Sequence, residues 1–188
     1  MARLFSIRPT LTFKGRQFKG LRGFAGKPSH PPLTDFPVTC YILLATFDLI
    51  SLLSEDGSKA ARDFFTAGTF VLVAGLIVSV ETVLTGFWDW WKSTPSRTQA
   101  WRTANWHMGV MFTVTLLVVV DLLMRTGEET AGAGLTILSL VIGGLVGFGA
   151  LYGGALVYEY GFNVETSGDH PVWHESETDV FPGQKHAQ

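Results

Sequence analysis

Two histidines occupy positions at which an imidazole ring could bind a cofactor. His30 precedes the first long apolar stretch of the chain and His107 opens the third, so both are expected near the same end of a helical bundle. Two histidines from different helices are a common way of holding the iron of haem. The pair is therefore a candidate set of axial ligands for haem b. Two alternatives use the same residues: a hydrogen-bonded cap of His30, Asp35 and His107, and a metal site that adds Glu81.

Ionisable residues inside apolar stretches form a second group of candidates. Burying a charge in lipid is costly, so each such residue is a functional candidate by default. The group consists of Asp35, Asp48, Glu81 and Asp121. His107 and Asp121 share one helical stripe with Met111, Val114 and Val118, which predicts that this stripe faces the bundle interior. Asp48 and Asp121 are expected to pair with Arg62, Arg125 or hydroxyl groups.

Small residues form a stripe in the fourth apolar stretch. Gly143, Gly147, Ala150 and Gly154 recur at helical spacing. Such a stripe either allows close helix packing or leaves space for a flat ligand. The sequence contains no phosphate-binding glycine loop, no paired-cysteine motif and no nucleophile turn, and the only cysteine is Cys40. No catalytic residue is therefore predicted, and a non-enzymatic role is favoured.

The elements that carry these residues are four apolar runs. Charged residues make up 16% of the chain and mean hydropathy is +0.27, whereas soluble domains carry roughly a quarter charged residues. The runs cover residues 36–53, 64–87, 105–124 and 135–158, each near the ~20 residues that a helix needs to cross a bilayer. The prediction is an all-α, four-helix transmembrane bundle over residues 35–160. A basic arm, 1–34, precedes it and a polar tail, 161–188, follows.

The distribution of basic residues predicts the orientation in the membrane. Four crossings put both termini on one side, here called side A, and the opposite side is called side B. Side A carries the bases of the N-terminal arm together with Lys92, Arg97 and Arg102. Side B carries Lys59, Arg62 and Arg125. The positive-inside rule then predicts cytoplasmic termini. A net charge of -2 gives no reason to expect a nucleic-acid partner.

Four short motifs carry a resemblance to a known family. They are GKPSHP at Gly26–Pro31, GFWDWW at Gly86–Trp91, WRTANWHM at Trp101–Met108 and GGALVYEYG at Gly153–Gly161. Their order over residues 26–164 resembles the bacterial membrane family known as domain of unknown function 2231. The resemblance implies four helices in a bacterial inner membrane and, in some members, a link to redox partners such as Rieske-type proteins. Lys27 and Asp35 stand where family members have histidine, which leaves His30 and His107 as the matching histidines.

Three functions remain open at this point. The first is a non-catalytic accessory or scaffold subunit that holds other subunits of an electron-transfer membrane complex through its side-A loops, arm and tail. Five tryptophans at side A support it, namely Trp88, Trp90, Trp91, Trp101 and Trp106. The second is a b-type haem electron carrier with His30 and His107 as ligands. The third is a small proton or solute transporter, suggested by the buried carboxylates.

Overall fold

The fold consists of four long helices in the described part of the chain. A computed structural model describes residues 29–162, so most of the predicted basic arm and polar tail lies outside the described residues. The helices are α1 (His30–Leu53), α2 (Lys59–Ser93), α3 (Gln99–Met124) and α4 (Ala133–Tyr158). Each is long and apolar enough to span a membrane. The predicted all-α four-helix bundle is thereby confirmed.

The helices extend beyond the apolar runs that predict them. α1 begins at His30 rather than near residue 36, with prolines at its first positions. Proline is tolerated there because the first turn needs no backbone N–H donors. α2 has 35 residues and begins after Ser58, whose side chain accepts from the N–H of Ala61. At 1.5 Å per residue α2 is about 52 Å long, so it projects well beyond ~30 Å of hydrocarbon.

The helices pack as a ring in which α1 and α3 are diagonal partners. α1 packs on α2 and α4, α3 packs on α4, and the contact between α2 and α3 is the sparsest of the four. The described parts of α1 and α3 make no close backbone contact. In a bundle of this kind, a cofactor can lie between side chains from facing helices.

An apolar layer fills the middle of the bundle. Its members are completely buried: Leu44, Leu72, Val114, Val118, Ile142 and Val146, each 0% exposed. Large apolar side chains also cover the outer surface, as in Phe70, Leu84 and Leu151. A bundle that is apolar both in its interior and on its outer surface is expected in lipid. Lipid tails are themselves apolar, so burying an apolar side chain between helices gains no hydrophobic free energy there. The layer separates polar groups at side A from polar groups at side B.

Candidate functional site

A large cavity lies in the side-A half of the bundle. It has a volume of about 640 Å³, and all four helices contribute to its lining. This volume falls within the roughly 300–1,000 Å³ of typical ligand and cofactor sites. Tyr41 and Ser79 line it on the side of the apolar layer, and their hydroxyl oxygens are 2.7 Å apart. Both His30 and His107 line the same cavity.

His30 is held by the C-terminal half of α2. Its Nδ1 lies 3.0 Å from the carbonyl oxygen of Thr82, with the hydroxyl of Thr85 at 3.4 Å. The ring packs directly over Gly86, where an added Cβ would fall 2.5 Å from the His30 Cε1 atom. Any side chain at Gly86 would displace the imidazole. The position of His30 therefore depends on Gly86, which is not among the predicted site residues.

His107 is held by α4 in the same manner. Its Nδ1 lies 2.9 Å from the carbonyl oxygen of Gly149. The ring packs over Gly153, where an added Cβ would fall 3.1 Å from the His107 Cε1 atom. In both cases the histidine bonds to one backbone carbonyl and covers the glycine four residues further along the helix. Gly149 and Gly153 were also outside the predicted stripe.

These contacts determine which ring nitrogen carries the proton. A backbone carbonyl can only accept, so Nδ1 must be the N–H donor in both histidines. In a neutral imidazole this leaves Nε2 with a free lone pair, the form that binds a metal. The two rings are also near enough to interact electrostatically. Two histidines on diagonal helices thus line one cavity, each with its Nδ1 bonded to a carbonyl of a neighbouring helix.

Acidic and aromatic groups complete the side-A lining. Asp35 and Asp89 are among the lining residues, and no lysine or arginine within residues 29–162 belongs to the lining. The Trp90 indole N–H donates to the Asn105 side-chain oxygen at 2.8 Å, which joins α2 to α3 near the opening. This bond bridges the helix pair with the sparsest packing, so it stabilises the side-A end of the cavity.

Four acidic residues were predicted to be buried; two of them are buried and two are exposed. Asp48 and Asp121 are both 0% exposed. Asp35 and Glu81 are exposed. Glu81 directly precedes Thr82, which faces α1, and successive helical residues point about 100° apart, so its side chain lies on the outer face of α2. The described residues also contain no group of three or more His, Cys, Asp or Glu that could hold a metal ion, which argues against the four-residue metal site.

The predicted glycine stripe serves more than one purpose. Gly143 packs on α1, where an added Cβ would lie 3.3 Å from the Ala45 Cβ. Gly147 has nothing within 4 Å of such an atom, and Gly154 lines the cavity. The stripe is therefore partly a packing surface and partly a cavity wall. The Gly153-Gly154 pair is the feature of the sequence from which the contact with His107 could have been predicted.

A second polar cluster lies at the side-B end. Arg125 donates to a carboxylate oxygen of Asp48 on α1, and its Nε donates to Asp121 Oδ1 at 2.6 Å. Its guanidinium also lies 3.3 Å from the Thr69 hydroxyl and 4.9 Å from the centre of the Phe65 ring. The predicted pairing of both aspartates is therefore made by Arg125. Arg62 instead donates to a loop carbonyl.

These observations define a class of protein, a four-helix membrane bundle with a histidine-lined cavity at one end and a buried ion cluster at the other. A family model described as a predicted membrane protein, DUF2231, matches residues 26–166. The chain belongs to that family, as its motifs predicted. No curated protein and no solved structure matches the chain.

Proposed function

We propose that the protein is a membrane electron carrier that binds one haem b, with His30 Nε2 and His107 Nε2 as axial ligands. The observation that carries this proposal is the paired hydrogen bonding of the two rings. Each Nδ1–H is donated to a helix carbonyl, and both rings line one cavity of about 640 Å³. Metal-bound histidines almost always donate their second nitrogen in this way.

The surrounding residues suit a flat, apolar ligand. The hydrogen bonds to Thr82 and Gly149 hold each imidazole at a set angle and make its Nε2 more basic. The cavity is lined mainly by apolar side chains, and the fully buried layer below it excludes water from side B. Haem supplies one-electron redox chemistry when bound. The protein's contribution is to hold the iron ligands, to limit water access and to keep the site near one membrane surface.

The test is an absorption spectrum of natively purified protein, oxidised and then reduced with dithionite. We expect a sharp α-band in the reduced protein that is lost in His107→Ala and in His30→Ala. His174→Ala, which removes a histidine of the C-terminal tail, is the matched control and should keep the band. A colourless, haem-free protein from haem-sufficient cells would refute the proposal.

The accessory-subunit function is the alternative, and the shape of side A supports it. Trp88 and Trp91 are 41% and 61% exposed at the projecting end of α2, and Lys92 lies 4.3 Å from the Trp91 ring centre. Exposed aromatics beside a cation suit a lipid interface or a protein partner. We expect Trp88→Ala with Trp91→Ala to reduce recovery of partner subunits, while Phe70→Ala on the same helix should not. A scaffold without haem would show this loss and a flat spectrum.

We also propose that the protein lies in a bacterial inner membrane with both termini in the cytoplasm. Support comes from the four spans and from the bases Lys92, Arg97 and Arg102 on side A. Transport receives less support. The fully buried apolar layer, which includes Val114 and Val118, separates the cavity from the ion cluster, and the nearby Thr115 hydroxyl donates to its own helix.

A further inference from the structure

The ion cluster at side B carries an unbalanced charge in a buried place. It contains two carboxylates and one guanidinium: Asp48 and Asp121 are 0% exposed and Arg125 is 5% exposed. With every group ionised, the cluster would hold a net charge of -1 away from water. An uncompensated buried charge is strongly destabilising even after the surrounding structure relaxes. Something must therefore neutralise the excess charge.

One oxygen of each carboxylate is also left without a donor. Asp48 Oδ1 and Asp121 Oδ2 are buried and have no hydrogen-bond partner among the described residues. Ser139 lies beside Asp48, but its hydroxyl donates to the Thr136 carbonyl. Buried carboxylate oxygens normally accept hydrogen bonds. A proton on one of these two oxygens would supply the missing positive charge.

We propose that the cluster of Asp48, Arg125 and Asp121 binds one proton, so that one of the two aspartates is a carboxylic acid. The bound proton makes the cluster neutral and converts one carboxylate into a hydrogen-bond donor. The site is a proton-loading group at the membrane end opposite to the histidine cavity. This proposal does not depend on haem binding.

The available space favours a proton over a metal cation. An added Cβ at Gly68 would fall 3.0 Å from Asp48 Oδ1, so α2 closes tightly over this oxygen. A metal cation needs several oxygen ligands around it. The described residues offer no group of three or more acidic, histidine or cysteine side chains that could hold one.

A second cavity reaches the Arg125 end of the cluster from side B. It has a volume of about 310 Å³ and is lined by Arg62, Glu128 and Glu129. These three outer residues are exposed and are the charged groups that face the cluster from α2 and from the loop after α3. α1 contributes Asp48 and α3 contributes Asp121 and Arg125, while α4 contributes only the hydroxyls of Thr136 and Ser139. The exposed carboxylates of Glu128 and Glu129 can exchange protons with water, and they line the same cavity as Arg125, the cation of the cluster.

Infrared spectroscopy of the full-length protein in lipid vesicles tests the proposal. Aspartate labelled with ¹³C at the side-chain carboxyl separates its signal from glutamate. At neutral pH we expect a labelled C=O band of a protonated carboxylic acid that moves to lower frequency in D₂O. Both Asp48→Asn and Asp121→Asn should remove this band, because the remaining carboxylate then balances Arg125. Asp63→Asn, at an exposed site on α2, is the control and should retain it.

A further variant covers the case in which the asparagine variants fail to fold. Gly68→Ala places a methyl group against Asp48 Oδ1 without changing the charge, and it should shift the frequency of the band. The absence of a protonated aspartate band in the wild-type protein would overturn the proposal. A band that is unaffected by both asparagine substitutions would also overturn it, since another aspartate would then be the acid.

Discussion

The Nδ1 atom of His107 lies 2.9 Å from the carbonyl oxygen of Gly149, and the His107 ring covers the glycine four residues later. His30 repeats this relationship with Thr82 and Gly86 in the other helix pair. A helix carbonyl points toward the residue four positions further along the same helix. A side chain on that residue would shield the carbonyl from groups on a neighbouring helix. Glycine at that position leaves the carbonyl uncovered, so the Nδ1–H of each histidine can donate to it without a steric clash.

This relationship predicts that two glycines control cofactor binding. Gly86→Ala should lower haem retention strongly, because its Cβ would lie 2.5 Å from the His30 ring and would push Nδ1 away from Thr82. Gly153→Ala should have a smaller effect, since its distance to His107 is 3.1 Å. The ratio of haem to purified protein measures the effect. Gly144→Ala, at an open position on α4, is the control. Equal haem content in all three variants would contradict this prediction.

Under the proposed haem ligation, replacing His107 by another iron-binding side chain should change the redox potential without emptying the site. In His107→Met the thioether replaces one imidazole, and a Met/His ligand pair raises the potential of haem iron. We expect an upward shift on the order of 0.1 V, within the roughly 0.8 V that axial ligation spans. A potentiometric titration followed by the α-band measures it. An unchanged potential with full haem occupancy would show that His107 is not a ligand.

Removing the cation of the buried cluster should destabilise the bundle. Arg125→Met leaves a buried carboxylate without its counter-charge, and breaking a buried pair in this way costs about 3–5 kcal/mol. Thermal unfolding in detergent, followed by circular dichroism, should show a large loss of stability. Arg62→Met, at an exposed position, should cost little.

Arg125→Met should be tolerated in a protein whose two buried aspartates have been replaced by neutral asparagines. Adding Arg125→Met to a protein that already carries Asp48→Asn and Asp121→Asn should cost much less than adding it to the wild type, because no charge is then left unpaired. If the cost is the same in both backgrounds, the ion pairs do not account for the stability of this end.

Cysteine labelling tests the orientation, since the native chain has one cysteine, Cys40, and it is buried. Thr126→Cys places a thiol in the α3–α4 loop on side B. Ser96→Cys places one in the α2–α3 loop on side A. A membrane-impermeant maleimide added to intact cells, with the outer membrane made permeable, should label position 126 alone. Labelling of position 96 without disruption of the inner membrane would reverse the orientation.

Much of the fold follows from properties that are local in the chain. The lengths of the apolar runs determine the number of helices, because lipid requires each backbone polar group to be satisfied within its own segment. Helical periodicity places Val114, Val118 and Asp121 on the buried face of α3, as predicted. Both features depend on composition and spacing within a single segment, and neither requires knowledge of the neighbouring helices.

Other features depend on contacts between helices, and the sequence alone left them open. The prediction that Glu81 is buried is wrong, because only the packing of α2 against α1 decides which face of α2 points outward. The roles of Gly86 and Gly153 depend on where the rings of His30 and His107 come to lie. The charge and type of a residue are read from the chain itself. Its distance to an atom more than forty positions away is decided by the tertiary structure, because only the packed helices bring the two atoms together.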